Sequence, residues 1–256
     1  MRRVIKIGTS TILTSTGTIN TQQLRMIAQG IMQLVRCGDQ ITVVTSGAVG
    51  LGRRILSAAP SAQRPSRQAL AAVGQPCLIQ TYQEVFHPTP VAQLLVDQSH
   101  VSRPHASLSL QAALRHLWEL EVIPLVNEND ALSGAGHRIG DNDTLAALVA
   151  GLVNAEQLVI LSDIDGLYTD NPATNPQATR VSLVSRLSPE HFGQYGAGTP
   201  GPFGSGGIVS KLKAAHMAQT YGIETLLASG HSENIWADLI DQRHDHCTRF
   251  LAHKEA

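Results

Sequence analysis

The feature that most constrains this chain is a repeated pairing of short apolar runs with polar or glycine-rich exits, each followed by a helical pattern. Arg3 to Ile7 delivers Lys6, Gly8, Thr9 and Ser10 at its end, and Gln40 to Val44 runs into Thr45-Ser46-Gly47-Ala48. Val122 to Val126 runs into Asn127-Glu128-Asn129-Asp130, and Leu158 to Leu161 into Ser162-Asp163. Runs this short, rich in branched residues and bounded by turn formers, predict buried strands. Pro90 to Val96 and Glu224 to Ala228 read the same way. Between them lie helices. Thr21 is placed to cap one whose apolar positions Leu24, Ile27, Ile31, Leu34 and Val35 follow helical spacing, with Gly38 as its stop. Further helices are predicted at Arg67 to Phe86, Ala106 to Leu120, Thr144 to Val153 and Lys211 to Tyr221, with a last helix and strand in the tail. Strands alternating with crossover helices predict a mostly parallel sheet covered on both faces. No repeat, low-complexity segment or linker divides the chain, so a single domain over residues 1–256 is expected.

Open α/β sheets bind ligands outside the carboxyl ends of their strands. Val122 to Leu148 carries two acid-and-amide clusters, one at a strand exit and one, Gly140-Asp141-Asn142-Asp143, opening an apolar helix across a glycine-rich loop. Ordinary turn and cap chemistry explains either cluster alone; both flanking one loop point to a ligand site. Gly204-Ser205-Gly206-Gly207-Ile208-Val209-Ser210-Lys211 opens another helix, where glycine N–H groups, the helix dipole and a lysine suit a phosphate. The chain contains no GxxxxGK[ST] loop. Gly196 to Gly201 matches GxGxxG literally, but no strand precedes it and a proline interrupts it, so a dinucleotide reading fails.

Composition narrows the class. A net charge of -1 and no long basic run argue against a nucleic-acid or membrane-surface protein. No apolar stretch is long enough to span a bilayer, and Lys6 breaks the apolar run after Met1-Arg2-Arg3, so no signal peptide is read. Three cysteines without CxxC spacing fit a reducing cytoplasm. His244, Asp245, His246 and Cys247 are dense, yet neighbours on a strand point to opposite faces and do not converge on one metal ion. Trp118 and Trp236 read as packing residues on helices.

The motifs VIKIGTS (Val4 to Ser10), VVTSGAVGLG (Val43 to Gly52), NEND (Asn127 to Asp130), GDND (Gly140 to Asp143), LSDIDGLYTDNP (Leu161 to Pro172) and GSGGIVSKLKAA (Gly204 to Ala215) together resemble the glutamate 5-kinase family of the amino acid kinase superfamily. The resemblance covers nearly the whole chain in order. It implies a three-layer αβα sandwich and ATP-dependent phosphorylation of the glutamate γ-carboxylate in proline synthesis, with Mg²⁺ accompanying the nucleotide. Lys6 and Lys211 then correspond to lysines flanking the transferred phosphoryl group, and Asp143 to the carboxylate that positions them. Ser46, Gly47, Asn127, Asp130, Asp141 and Asn142 match glutamate-binding positions. Lys6, Gly8, Ser162, Asp163, Ser205, Gly206, Gly207, Ile208, Val209, Ser210 and Lys211 match the nucleotide side. A cytoplasmic homo-oligomer open to feedback by proline is the implied context.

Departures are small within these motifs: Ser162 and Ser205 stand where the family often has threonine, and Ile208-Val209 replaces a commoner Met-containing pair. Many bacterial members continue into a PUA domain, and no such domain is read in this chain. Acetylglutamate kinase, aspartokinase and a catalytically silent sensor are the alternatives. NEND with GDND disfavours the first two, and retention of Lys6, Lys211 and Asp143 disfavours the third.

Overall fold

The computed structural model describes residues 1–57, 64–132, 139–172, 174–193 and 207–253. In chain order the elements are β1 (Arg2–Ile7), α1 (Thr9–Ile12), α2 (Thr21–Arg36), β2 (Gln40–Val44), α3 (Ala48–Leu56), α4 (Arg67–Phe86) and β3 (Val91–Val96). Then come α5 (Gln98–Ser102), α6 (Pro104–Glu119), β4 (Ile123–Glu128), α7 (Asn142–Leu152), β5 (Gln157–Ser162), β6 (Leu167–Tyr168), β7 (Arg180–Val181) and β8 (Leu183–Val184). The chain finishes with α8 (Ile208–Thr220), β9 (Glu224–Ser229), α9 (Asn234–Asp241) and β10 (Cys247–Phe250). Among the described residues eight strands form one sheet in the order β3-β4-β2-β1-β5-β9-β10-β8. Every pairing in it is parallel except β9 with β10. β1 lies inside the sheet, with Lys6 opposite Val44 on one side and Ile160 on the other.

Alternation along the strands sorts the core into two layers. Ile5 and Ile7 face a cluster built with Leu24, Ile27, Ile31 and Leu34 of α2, Leu78, Tyr82 and Phe86 of α4, and Ile235, Trp236 and Leu239 of α9. Val4 faces the other layer, with Leu110 and Leu114 of α6, Leu145 and Val149 of α7, and Leu212 and Ala215 of α8. This is the three-layer αβα sandwich, and its alternation places Lys6 on the same face as Val4, under α7 and α8.

Several boundaries differ from the sequence reading. Asn20, not Thr21, caps α2, its side chain accepting from the Gln23 N–H at 3.1 Å. β4 runs two residues past Val126, and α7 begins at Asn142 with Asp141 as its cap. α8 begins at Ile208 rather than Lys211. α1, α3 and α5 had no counterpart among the predicted helices. Both tryptophans sit on helices. Trp236 is buried with its ring over Gly30, and the Trp118 indole N–H donates to the Ile41 carbonyl at 2.9 Å. His246 Nδ1 lies 2.9 Å from Asp238 Oδ2, whereas Cys247 is buried at the start of β10.

Helices α3 and α4 pack backbone to backbone. A Cβ on Gly52 would fall 1.8 Å from the Leu70 carbonyl oxygen, and one on Gly74 would fall 1.9 Å from that of Ala48. Backbone atoms cannot yield as a flexible side chain can. Gly52→Ala is therefore expected to destabilise the fold by about 3 kcal/mol, at the upper end of overpacking costs. Chemical denaturation checks this, and an unchanged midpoint would contradict so close a contact.

Candidate active site

The carboxyl ends of β1, β2, β4 and β5 open into one cavity of about 380 Å³. Lys6, from the end of β1, and Asp143, from the first turn of α7, meet there: Lys6 Nζ is 2.7 Å from Asp143 Oδ1. Lys211, from the first turn of α8, places its Nζ 3.4 Å from Oδ2 of the same carboxylate. All three are nearly inaccessible, at 6%, 2% and 8% exposure for Lys6, Asp143 and Lys211. Ser210 Oγ adds a hydrogen bond to Asp143 Oδ2 at 2.7 Å. Burial by itself would raise the Asp143 pKa, but Lys6, Lys211 and the hydrogen bonds outweigh it and hold the carboxyl at about 2. Burial also lowers the Lys211 pKa, against the opposing pull of Asp143. Two cations around one carboxylate leave this group a net positive charge. An incoming anion therefore meets charge already fixed in place.

Beside this cluster lies a wall of amides. Asn142 Nδ2 contacts the Thr45 carbonyl at 2.9 Å, Ser46 Oγ at 2.8 Å and Asn127 Oδ1 at 3.1 Å. A carbonyl only accepts, so the amide nitrogen must face that way. The structure commits this amide donor to the protein and, among the described residues, leaves Asn142 Oδ1 buried without a hydrogen-bond partner beside the cavity. Gly47 joins β2 to α3 with φ of +109°, a left-handed conformation natural to glycine, and lines the cavity with Ser46. Asp141 caps α7, accepting from Thr144 N–H at 2.7 Å and Thr144 Oγ1 at 3.1 Å, and also lines the cavity.

On the other flank are Gly8, Ser162 and Asp163. Ser162 Oγ donates to Asp163 Oδ1 at 2.9 Å. Gly207 caps α8, and Ile208, Val209 and Ser210 open its first turn ahead of Lys211. Ser205 and Gly206 lie outside the described residues.

Three residues had been passed over in the sequence. Arg67, the first residue of α4, reaches across to Asp130, with Nη2 3.1 Å from Oδ1. Gln75, buried on α4, accepts from Asn127 Nδ2 at 3.0 Å. Glu128, buried at the end of β4, accepts from the Ile139 N–H at 2.7 Å and so ties the strand exit to the GDND segment. The polar NEND motif was the available signal for Glu128. Nothing local distinguishes Arg67 or Gln75.

Solved structures with this architecture include carbamate kinase from Giardia lamblia bound to AMP-PNP, with a TM-score of 0.68 and 18% identity over 99% of this chain and 98% of that one. UMP kinase from Bacillus anthracis superposes with a TM-score of 0.66 at 16% identity, over 98% of this chain and 96% of that one. At such identities the likeness fixes the fold alone. Residues 1–229 match the Amino acid kinase family, and the chain belongs to it. Its similarity extends further to glutamate 5-kinase of Haemophilus influenzae (strain PittEE), 37% identical over 98% of this chain and 68% of the relative. Glutamate 5-kinase 1 of Bacillus subtilis (strain 168) is 38% identical over 95% of this chain and 67% of the relative.

Proposed function

We propose that this protein transfers the γ-phosphoryl group of ATP to the γ-carboxylate of L-glutamate, giving L-glutamyl 5-phosphate, the first step of proline synthesis. The observation that carries the proposal is the buried Lys6–Asp143–Lys211 cluster facing one cavity with an amide-lined flank. The nucleophile needs no base, because a γ-carboxylate with a reference pKa of about 4.3 is already ionised at neutral pH. The protein's task is to bring two anions together and offset the charge on the moving phosphoryl oxygens. On this reading Lys6 and Lys211 do so, held apart and aimed by Asp143. The first turn of α8 receives the phosphates, and Gly8, Ser162 and Asp163 complete the nucleotide side.

No group of three or more acids, histidines or cysteines fit to hold a metal ion occurs among the described residues, and both Asp143 oxygens are engaged by lysines. The donor set therefore fits a Mg²⁺ ion that arrives on the phosphate oxygens, with Asp163 the cavity carboxylate suited to share it. Bound there, the ion would neutralise phosphate charge. Among the described residues no helix is long and apolar enough to cross a membrane, and the three free cysteines suit a reducing cytoplasm. Homo-oligomerisation and feedback by proline are carried by the family likeness alone.

Asp130, Asp141 and the buried Asn142 Oδ1 are acceptors suited to an ammonium, whereas an N-acetylated substrate would leave them unpaired. Asp130→Ala and Asn142→Ala are expected to raise the KM for glutamate far more than that for ATP, with acetylglutamate a poor substrate throughout. Steady-state kinetics on both substrates check this. Preference for acetylglutamate, or a rise confined to the ATP KM, would reassign this flank. ATP should also raise the melting temperature in a concentration- and Mg²⁺-dependent way. A shift with NAD and none with Mg-ATP would restore the dinucleotide reading.

A further inference from the structure

Arg67 sits in an electrostatically poor place for a structural cation. It is the first residue of α4, where the helix dipole presents positive charge, and the first turn carries no acidic residue. Its side chain is 43% exposed, so it contributes little to the core, while Asp130 opposite it is only 10% exposed. The contact is made side-on: Arg67 Nε and Nη2 lie 3.2 and 3.1 Å from Asp130 Oδ1, and Nη2 also lies 3.3 Å from Oδ2. Both residues line the cavity that holds Lys6 and Lys211. A partly exposed ion pair contributes little to stability. This one instead sets a fixed cation beside a fixed anion on the wall of a substrate cavity.

An α-amino acid head group carries the complementary pair, an ammonium and a carboxylate on one carbon. Resting on the glutamate reading above, we propose that Arg67 is a specificity-determining residue that binds the substrate's α-carboxylate, with Asp130 taking the adjacent ammonium. Substrate entry exchanges one protein ion pair for two protein–substrate pairs, and no net charge is buried unmatched. The planar guanidinium can hold a carboxylate through two parallel N–H donors. The site therefore distinguishes the α-carboxylate, which pairs with Arg67, from the γ-carboxylate, which is left for the lysines. It also supplies the carboxylate donor that Asn142, committed to Thr45, Ser46 and Asn127, does not provide.

The test pairs a protein deletion with a substrate deletion. γ-Aminobutyrate is glutamate without its α-carboxylate and keeps both the ammonium and the reacting carboxylate. Glutamate and γ-aminobutyrate are compared as substrates, or as competitive ligands where turnover is slow, on the wild type, Arg67→Ala and Arg67→Lys. Arg67→Ala is expected to weaken glutamate by about tenfold or more, the scale of one charged hydrogen-bonded contact, with the ATP KM unchanged. γ-Aminobutyrate, already weak, should be the same on wild type and Arg67→Ala within about twofold. Arg67→Lys should fall between, since it keeps the charge and loses the fork. A purely structural role for Arg67 would weaken both ligands together, and that result overturns the proposal. Glutamate binding unchanged in Arg67→Ala overturns it as well. A wild-type enzyme that does not use glutamate would instead overturn the functional reading on which the proposal rests.

Discussion

Lys211→Ala lowers kcat by at least about a hundredfold at saturating ATP and glutamate, the scale for removing one preorganised charge from a transition state, and leaves the protein folded. Lys211 is 8% exposed and its ammonium faces the cavity with Lys6 and Asp143. Its loss removes positive charge where phosphoryl oxygens are expected, while the apolar neighbours Leu212, Ala214 and Ala215 still hold α8 in place. Lys6→Ala behaves in the same way. Because burial lowers the Lys211 pKa, kcat/KM should also fall on the alkaline side below the usual lysine range. Lys211→Arg, with a guanidinium that stays protonated, should remove that limb even at reduced rate. Near-normal turnover in either alanine variant would remove the lysines from the chemistry.

The second large effect is on both stability and rate. Asp143→Ala leaves two buried ammonium groups facing each other without a carboxylate. Breaking a buried ionic cluster costs about 3–5 kcal/mol, and turnover should fall along with stability because neither lysine remains aimed. The same residue sets an acid limit. Its folded pKa, about 2, lies below the ordinary 3.8, so its stabilising contribution is present in full above pH 3.8 and is lost as the pH falls towards 2. The shift corresponds to about 2 kcal/mol. Denaturant titrations of wild type and Asp143→Ala between pH 5 and pH 2 should therefore converge as the acid end is approached. A constant gap would mean that the folded-state pKa of Asp143 is not depressed below its unfolded value.

How far the site was legible depends on what each residue's signal looks like in the chain. Lys6 could be placed because a strand alternates, and its position between Ile5 and Ile7 puts it on the opposite face from both. Asp143 and Lys211 were legible from helix starts with glycine or cap residues ahead of them, though α8 begins three residues earlier than the lysine alone suggested. The end of β4 was misread because Asn127 and Glu128 are polar. The parallel ladder that holds them, opposite Leu95 and Val96, is made by backbone groups and takes no account of side-chain polarity. Helix α3 was missed for a related reason. Gly50 and Gly52 lower its intrinsic helix propensity, yet Gly52 is what lets α4 approach so closely, so tertiary packing overrides the local preference. Arg67 and Gln75 lie 63 and 52 residues from their partners Asp130 and Asn127. Such pairings follow from the packing of α4 over the sheet beside the end of β4, and no local pattern encodes them.

If the γ-carboxylate of glutamate attacks the terminal phosphate of ATP in this cavity, the acyl phosphate that forms can be trapped directly. An acyl phosphate reacts with hydroxylamine to give a hydroxamate, so purified protein is incubated with Mg-ATP, hydroxylamine and glutamate, with acetylglutamate, aspartate and no acceptor run in parallel. γ-Glutamyl hydroxamate should form in step with ADP, require glutamate, and be almost absent in Lys211→Ala. Hydroxamate formed chiefly from acetylglutamate or aspartate, or ADP released at the same rate without any amino acid, would contradict it.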